Sequence, residues 1–88
     1  MINVGFGNLI NTSKIISIMS IDSAPAKRMM QNAKDNDKAV DATQGRRTKS
    51  LILMDGGYVV MSALQPDTLA GRYEESIAPP EKIEKAED

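Results

Sequence analysis

The fold is decided by residues 50–64, which read Ser50-Leu51-Ile52-Leu53-Met54-Asp55-Gly56-Gly57-Tyr58-Val59-Val60-Met61-Ser62-Ala63-Leu64. Two apolar runs, each with the composition of a strand, flank the Asp-Gly-Gly sequence. Asp-Gly between such runs is a strong signal of a tight turn between antiparallel strands. The stretch therefore predicts a hairpin in which a buried strand, Ser50–Met54, pairs with a returning strand, Tyr58–Leu64.

The segment before the hairpin, Asp41–Lys49, is the most polar and most basic in the middle of the chain. Gly45 can adopt a positive φ at no steric cost and turn the chain sharply, and Arg46, Arg47 and Lys49 follow it. Guanidinium groups are flat, charged forks that match phosphate oxygens or the O6/N7 edge of guanine. Basic runs of this size are also typical of a solvated turn, so the segment alone leaves both interpretations open.

The first 21 residues contain two strand-like segments. Residues 1–10 alternate apolar and polar side chains until Gly5-Phe6-Gly7-Asn8, which predicts a turn or bulge before the strand resumes. Residues 14–21 have the β-branched composition and the period of a strand. We expect the two segments to pair as an antiparallel hairpin with Lys14 at its tip.

Two glycines flank the single phenylalanine of the chain, Phe6. The third glycine of a GxGxxG phosphate-binding loop is missing and no helix start follows, so a structural turn is favoured. Such a turn also holds Phe6 where it can meet a neighbouring subunit. The candidate contact between copies therefore comprises Gly5, Phe6, Gly7 and Asn8.

A capping residue at position 22 or 23, followed by Pro25, predicts a long helix from Ala24 to about Asn36. Arg28 lies on its polar arc with two lysines, either as solvated surface or as part of a binding face. Residues spaced i, i+3, i+4 and i+7 form the apolar stripe that we expect to be buried. They are Ala26, Met29, Met30 and Ala33.

The predicted fold is α+β: a small, mostly antiparallel sheet of about five strands, the long helix, and a short C-terminal helix from Pro66 to about Tyr73. The length suits one domain, which we place at residues 1–75. Residues 76–88 are rich in Glu and Lys and contain two prolines. They cannot bury enough apolar surface to offset the entropy of ordering, so we predict a disordered acidic tail.

Composition limits the function. Residues 1–66 hold eight Lys/Arg and five Asp, a net charge of +3, while residues 67–88 hold three Lys/Arg and seven Asp/Glu, a net charge of −4. The chain has no Cys and no His, which removes the strongest nucleophile, the commonest general base and the usual transition-metal ligands. We therefore expect no catalytic site, no metal, no cofactor and no small-molecule substrate.

No apolar run reaches the length of a membrane-spanning helix, and the first residues lack the regions of a signal peptide, so we expect a cytoplasmic protein. With three aromatic residues and six methionines, the core is thin, because Met packs adaptably but specifies shape poorly. A domain of this kind gains stability by burying surface against copies of itself. We expect a homo-oligomer larger than a dimer.

Four motifs occur in the order and spacing of one family: Gly5–Asn8, Asp22–Met29, Asp41–Thr48 and Ser62–Thr68. Through them the chain resembles the RemA family, the bacterial extracellular matrix regulatory proteins, over roughly residues 1–73. The resemblance implies a nucleoid-associated, DNA-binding transcriptional regulator of biofilm matrix genes. It also implies ring-like oligomers that bind double-stranded DNA by repeated basic contacts.

The family's two DNA-contacting arginines, in its Gly-Arg-Arg-Thr motif, correspond to Arg46 and Arg47. A third family arginine corresponds to Lys14, which keeps the charge but loses the bidentate fork. The family usually has Tyr where this chain has Gln44, so the resemblance supports no stacking role at that position. In all, the candidate DNA-binding residues are Arg46, Arg47, Lys14, Lys49 and Arg28.

Three alternatives remain beside DNA binding. The first is a self-assembling structural or interaction module whose basic segment binds an acidic protein. An RNA-binding role is disfavoured, because the predicted strands lack aromatic side chains on which single-stranded bases stack. An enzyme is the weakest of the three, because acidic residues without His are normally surface charge.

Overall fold

The computed structural model of the protein describes residues 1–78. Its strands and helices follow one another as β1 (Ile2–Asn3), β2 (Leu9–Ile10), β3 (Ile15–Ser20), α1 (Ala24–Asp35), β4 (Ala39–Asp41), β5 (Ser50–Met54), β6 (Val59–Ser62) and α2 (Pro66–Ile77). The α+β class predicted from the sequence is confirmed.

Four strands form the central sheet, in the order β3-β5-β6-β4. β5 and β6 form the predicted antiparallel hairpin, with Leu51 opposite Met61. The turn between them is Asp55–Gly57, and both of its glycines have positive φ. β4 pairs with β6 in the parallel direction, so the sheet is antiparallel except at one edge.

The predicted pairing of residues 1–10 with residues 14–21 is wrong. β1 instead pairs with β2 in a separate two-stranded sheet, and β3 pairs with β5, with Ile18 opposite Ile52. The first hairpin closes within a few residues, because Val4 N donates to Asn8 O at 2.8 Å. The longer, apolar β3 is then free to complete the buried face beside β5.

Both faces of the sheet are covered. Leu51 and Val59 pack against α1, together with Ala26 and Ala33 of that helix. Their neighbours along the strands point the other way, into a second cluster formed with β1, β2 and α2. The alternation of side chains along a strand thus divides one short hairpin between two cores.

The helix α1 begins where the sequence predicts. Ser23 caps it, since the Ser23 hydroxyl accepts a hydrogen bond from Ala26 N at 3.2 Å. Ala26 and Ala33 are buried, and Met29 and Met30 are half-buried against the same cluster. The predicted apolar stripe is therefore confirmed.

The helix α2 runs to Ile77, four residues beyond its predicted end at Tyr73. Leu69 is fully buried, and Tyr73 and Ile77 follow it at intervals of one helical turn. Tyr73 is half-buried and Ile77 is exposed. The helix therefore includes the first two residues of the predicted tail. Ala78 follows as the C-cap of the helix, and residues 79–88 of the predicted tail lie outside the described residues.

Neither helix of residues 1–78 combines the length and the apolar character needed to cross a membrane.

Candidate nucleic-acid interface

The segment that joins β4 to β5, residues 42–49, is the basic loop. Its start is fixed by Asp41, whose carboxylate accepts hydrogen bonds from Thr43 N at 2.9 Å and from the Thr43 hydroxyl at 2.6 Å. These two bonds, with a smaller contribution from the charge of Lys34, lower the pKa of Asp41. Because Thr43 is itself buried, the loop leaves the sheet from a rigid point.

A tight turn then directs the arginines outward. Arg46 N donates to Thr43 O at 3.0 Å, and the two residues between them have positive φ, 54° at Gln44 and 79° at Gly45. Positive φ at both central positions is the requirement of a type I′ turn. Arg46 and Arg47 follow this turn, and both are exposed.

The far end of the loop is tied to two strands. Lys49 N donates to Ser62 O at 2.8 Å, and Lys49 O accepts from Ile21 N at 3.2 Å. Directly below, the buried Ser50 donates its hydroxyl hydrogen to Leu64 O at 2.6 Å. The Lys49 side chain is exposed above a backbone that is held on both sides.

The turn at Gly5–Asn8 lies beside the basic loop. The guanidinium carbon of Arg46 is 5.7 Å from the centre of the Phe6 ring, within the range of a cation–π contact. A Cβ placed on Gly5 would lie 3.9 Å from Ala42 O. The structure thus brings a candidate DNA contact and the candidate contact between copies into one surface, which the sequence did not predict.

Lys14 and Arg28 lie elsewhere. Lys14 is 3.8 Å from the carboxylate of Asp55, in an exposed ion pair at the opposite end of β5. Because β5 has five residues and rises ~3.3 Å per residue, its two ends are roughly 13 Å apart. Arg28 lines a groove of about 410 Å³ between α1 and the Asp55–Gly57 turn, together with Lys38.

In one copy, then, three of the five candidate DNA-binding residues share the basic loop. Lys14 and Arg28 would contact the same duplex only if the duplex extended beyond the basic loop across this copy or onto another copy.

Both helices begin at the end of the sheet that bears the basic loop. Arg47 and Lys49 line a small polar cleft of about 240 Å³ with Asp22, which precedes α1, and Gln65, which caps α2. The positive ends of two helix dipoles therefore lie close to Arg47 and Lys49. Asp22 and Asp67 partly offset this potential.

The polar side chains that support the loop were not predicted from the sequence. The contact between Asp41 and Thr43 could have been predicted from the sequence, because an Asp carboxylate often accepts a hydrogen bond from the backbone N–H two residues further on. The roles of Ser50 and Ser62 could not, because a serine at a strand end is usually exposed, whereas both are fully buried here. Among residues 1–78, no cluster of three or more acidic side chains could hold a metal ion.

Comparison with known proteins places this geometry in a family. Residues 1–73 match the RemA-like family, described as extracellular matrix regulatory protein A-like. The chain belongs to the RemA-like family. The match includes the basic loop, the Gly5–Asn8 turn and all but the last four residues of α2.

Individual members of the RemA-like family are similar over most of their length. A putative regulatory protein of Brevibacillus brevis is 53% identical over 72 residues, which cover 82% of this chain and 84% of that protein. One from Lachnoclostridium phytofermentans is also 53% identical over 72 residues, 82% of this chain and 79% of that protein. The extracellular matrix regulatory protein A of Bacillus subtilis is 50% identical over 72 residues, 82% and 81% of the two chains. These names support a regulatory role.

Proposed function

We propose that the protein is a DNA-binding transcriptional regulator that contacts duplex DNA through the basic loop. The observation that supports this most is a loop whose backbone is hydrogen-bonded at both ends and whose two arginines are exposed. Within residues 1–78, the guanidinium groups of Arg46 and Arg47 form no ion pair and no hydrogen bond. A preorganised cation loses little conformational entropy when it binds a phosphate.

The contacts suit the DNA backbone more than the bases. Three cations on a short, tight loop present separate charges to successive phosphates, and phosphate contacts position a protein without specifying sequence. Affinity should therefore come from counterion release and fall steeply with salt. We infer that specificity depends on DNA shape and on how many copies engage one duplex.

Control of extracellular matrix genes is the regulatory target that we propose, by analogy with the name of the Bacillus subtilis relative. A cytoplasmic, nucleoid-associated location follows from the same proposal.

A homo-oligomer larger than a dimer, with a ring-like arrangement, is part of the proposal. Repeating a weak basic contact on several copies multiplies affinity through effective concentration. The sequence predicts the Gly5–Asn8 turn as a contact between copies, and that prediction stands untested. The structure adds a second surface, the outer edge of β3.

The outer edge of β3 is unpaired in the sheet. Its six residues contain no Pro and no charged side chain, two of the features that usually protect an edge from pairing. Ile16 is 63% exposed there, at a bulge in the β3–β5 pairing. Beside it lies a groove of about 430 Å³ that Tyr73 and Ile77 of α2 also line. We propose that a second copy of this chain covers this edge, because the unpaired N–H and C=O groups of an apolar edge strand can pair with a strand of another chain.

Assembly is tested by native mass spectrometry of the full chain. Ile16→Glu places a charge on the edge and should shift the population to smaller species at micromolar protein. The matched control is Thr68→Glu, which adds the same charge at an exposed position of α2 outside the groove. An unchanged mass for Ile16→Glu would refute this edge as the interface.

DNA binding is tested by fluorescence anisotropy with a labelled duplex, measured across a range of salt concentrations. Arg46→Ala and Arg47→Ala should each reduce the slope of log affinity against log salt by roughly 0.9 per engaged copy and per lost phosphate contact. Lys14→Ala should lose less, and Lys14→Arg should match or exceed the wild type.

Lys34→Ala is the control for this series, because it removes an exposed charge but leaves both hydrogen bonds between Asp41 and Thr43. Thermal stability should stay nearly constant in all of these variants, since an exposed charge contributes on the order of 1 kcal/mol or less. If the wild type fails to bind duplex even at low salt, an acidic protein becomes the better partner. If Arg46→Ala unfolds the protein, the arginines are structural.

A further inference from the structure

We propose that Phe6 is the positioning residue for Arg46, so that the Gly5–Asn8 turn supports the DNA-contacting surface. This inference rests on the proposed DNA-binding function and deepens it. It assigns Phe6 a task in each copy, separate from any contact between copies.

The Gly5–Asn8 turn holds Phe6 in an unusual conformation. Three consecutive residues have positive φ: 118° at Gly5, 54° at Phe6 and 77° at Gly7. A bulky residue with positive φ is a genuine outlier, and such strain persists only where the surroundings enforce it. The aromatic ring is therefore kept at the tip of the turn, 50% exposed, instead of joining the core.

Hydrogen bonds enforce this conformation. Gly5 N donates to the Asn3 side chain at 2.7 Å, and Gly5 O accepts from both Asn8 N at 3.0 Å and Asn8 Nδ2 at 2.9 Å. Immediately before the turn, Val4 O accepts from the buried Ser62 hydroxyl at 2.7 Å. The turn is thus fixed to the same strand, β6, whose end also holds the basic loop through Lys49.

Arg46 is fixed from its own side. Its backbone N–H bonds Thr43 O, so the Cα is placed by the tight turn, and the Phe6 ring then restrains the long side chain. A cation–π contact depends on the charge of the guanidinium near the ring and uses no N–H donor, whereas hydrogen bonds to phosphate use the N–H groups. Contact with Phe6 therefore restrains the rotamers of Arg46 without using up its N–H donors.

A second cation–π pair in the structure shows the contrast. Lys38 Nζ lies 5.3 Å from the centre of the Tyr58 ring, at the opposite end of the sheet, and donates to Gly56 O at 2.8 Å. That cation is committed to the Asp55–Gly57 turn. Arg46 has no such acceptor in the described part of the chain, so it is oriented yet available for an external anion.

The test compares Phe6→Leu, Phe6→Tyr and the matched control Tyr58→Leu in the full chain. An exposed cation–π contact corresponds to a factor of about two to five in an equilibrium constant. Phe6→Leu should therefore weaken duplex binding by about two- to fivefold per engaged copy, and Phe6→Tyr should restore it. Tyr58→Leu removes a similar pair far from the loop and should leave the affinity unchanged.

Two further readouts separate positioning from a general structural role. Combined with Arg46→Ala, Phe6→Leu should cause no additional loss, because the ring acts only through that side chain. In the absence of DNA, the Hδ protons of Arg46 should show a ring-current shift by NMR that Phe6→Leu abolishes and Tyr58→Leu preserves.

The inference and the proposed function fail in different ways. If Arg46→Ala has no effect on binding, the proposed function is wrong. If Arg46→Ala weakens binding but Phe6→Leu does not, or if the two losses add, Phe6 does not position Arg46. If Phe6→Leu lowers the native mass of the assembly and leaves the Arg46 Hδ shift unchanged, Phe6 acts only as a contact between copies and the positioning role is refuted.

Discussion

The hydroxyl of Ser62 connects the central sheet to the N-terminal hairpin, and removing it should destabilise the protein strongly. Ser62 is fully buried. Its Oγ donates to Val4 O at 2.7 Å and accepts from Leu64 N at 3.1 Å. Ser62→Ala keeps the Cβ and the strand pairing but leaves both backbone groups without a partner.

The size of the effect follows from the burial of those two groups. An unsatisfied buried polar group costs about 1–3 kcal/mol. Val4 is fully buried, whereas Leu64 is half-buried, so water relieves the Leu64 N–H in part. We expect a total loss of ~2–4 kcal/mol in the free energy of unfolding. In a domain of this size that corresponds to a fall of roughly 8–30 °C in Tm.

Urea unfolding measures this loss at a fixed protein concentration, because assembly changes apparent stability. The midpoint should fall while the m-value stays constant. The control is Ser76→Ala, which removes an exposed hydroxyl bonded to Tyr73 O and should change stability by less than ~0.5 kcal/mol. If Ser62→Ala is no more destabilising than this control, the buried hydrogen bonds do not hold the hairpin to the sheet.

Two further predictions concern charge. The hydrogen bonds from Thr43 lower the pKa of Asp41 below its ordinary value of 3.8, so the stability that this carboxylate adds is present above pH 3.8 and is lost as pH falls through the lowered pKa. Asp41→Ala should therefore loosen the loop and weaken DNA binding at pH 7, whereas Asp41→Asn should retain most of the loop order and most of the DNA affinity. The difference in urea midpoint between wild type and Asp41→Asn should vanish at low pH, and a difference that stays constant with pH would contradict the role of the carboxylate. Deleting residues 79–88 removes four acidic residues and two lysines. The deletion should tighten duplex binding at low salt and leave the number of copies in the assembly unchanged. Weaker binding would show that this segment assists the interface.

Local patterns were sufficient for the elements that lie close in sequence. The β5–β6 hairpin followed from an Asp-Gly turn between two apolar runs, and α1 followed from its cap and its apolar stripe. The position of the basic loop followed from Gly45 and the cations after it. In each case the interacting residues are only a few positions apart, so backbone preference and side-chain period determine the outcome.

The end of α2 shows where composition misleads. The sequence predicted that the helix ends at about Tyr73 and that a disordered tail starts at residue 76, yet the helix continues to Ile77. Tyr73 packs against the core cluster one turn after Leu69, and this packing outweighs the polar character of the two residues that follow it.

By itself, the sequence determined which segments are strands, helices and turns, and which loop bears the cations. Only the tertiary structure decided that β3 pairs with β5, that Lys14 lies at the far end of the sheet, and that Phe6 lies within cation–π distance of Arg46. Phe6 and Arg46 are 40 residues apart, so backbone preferences and side-chain periodicity, which act over a few residues, cannot predict their contact. It exists because the two faces of the sheet must both be covered, and the hairpin that covers one of them ends beside the basic loop.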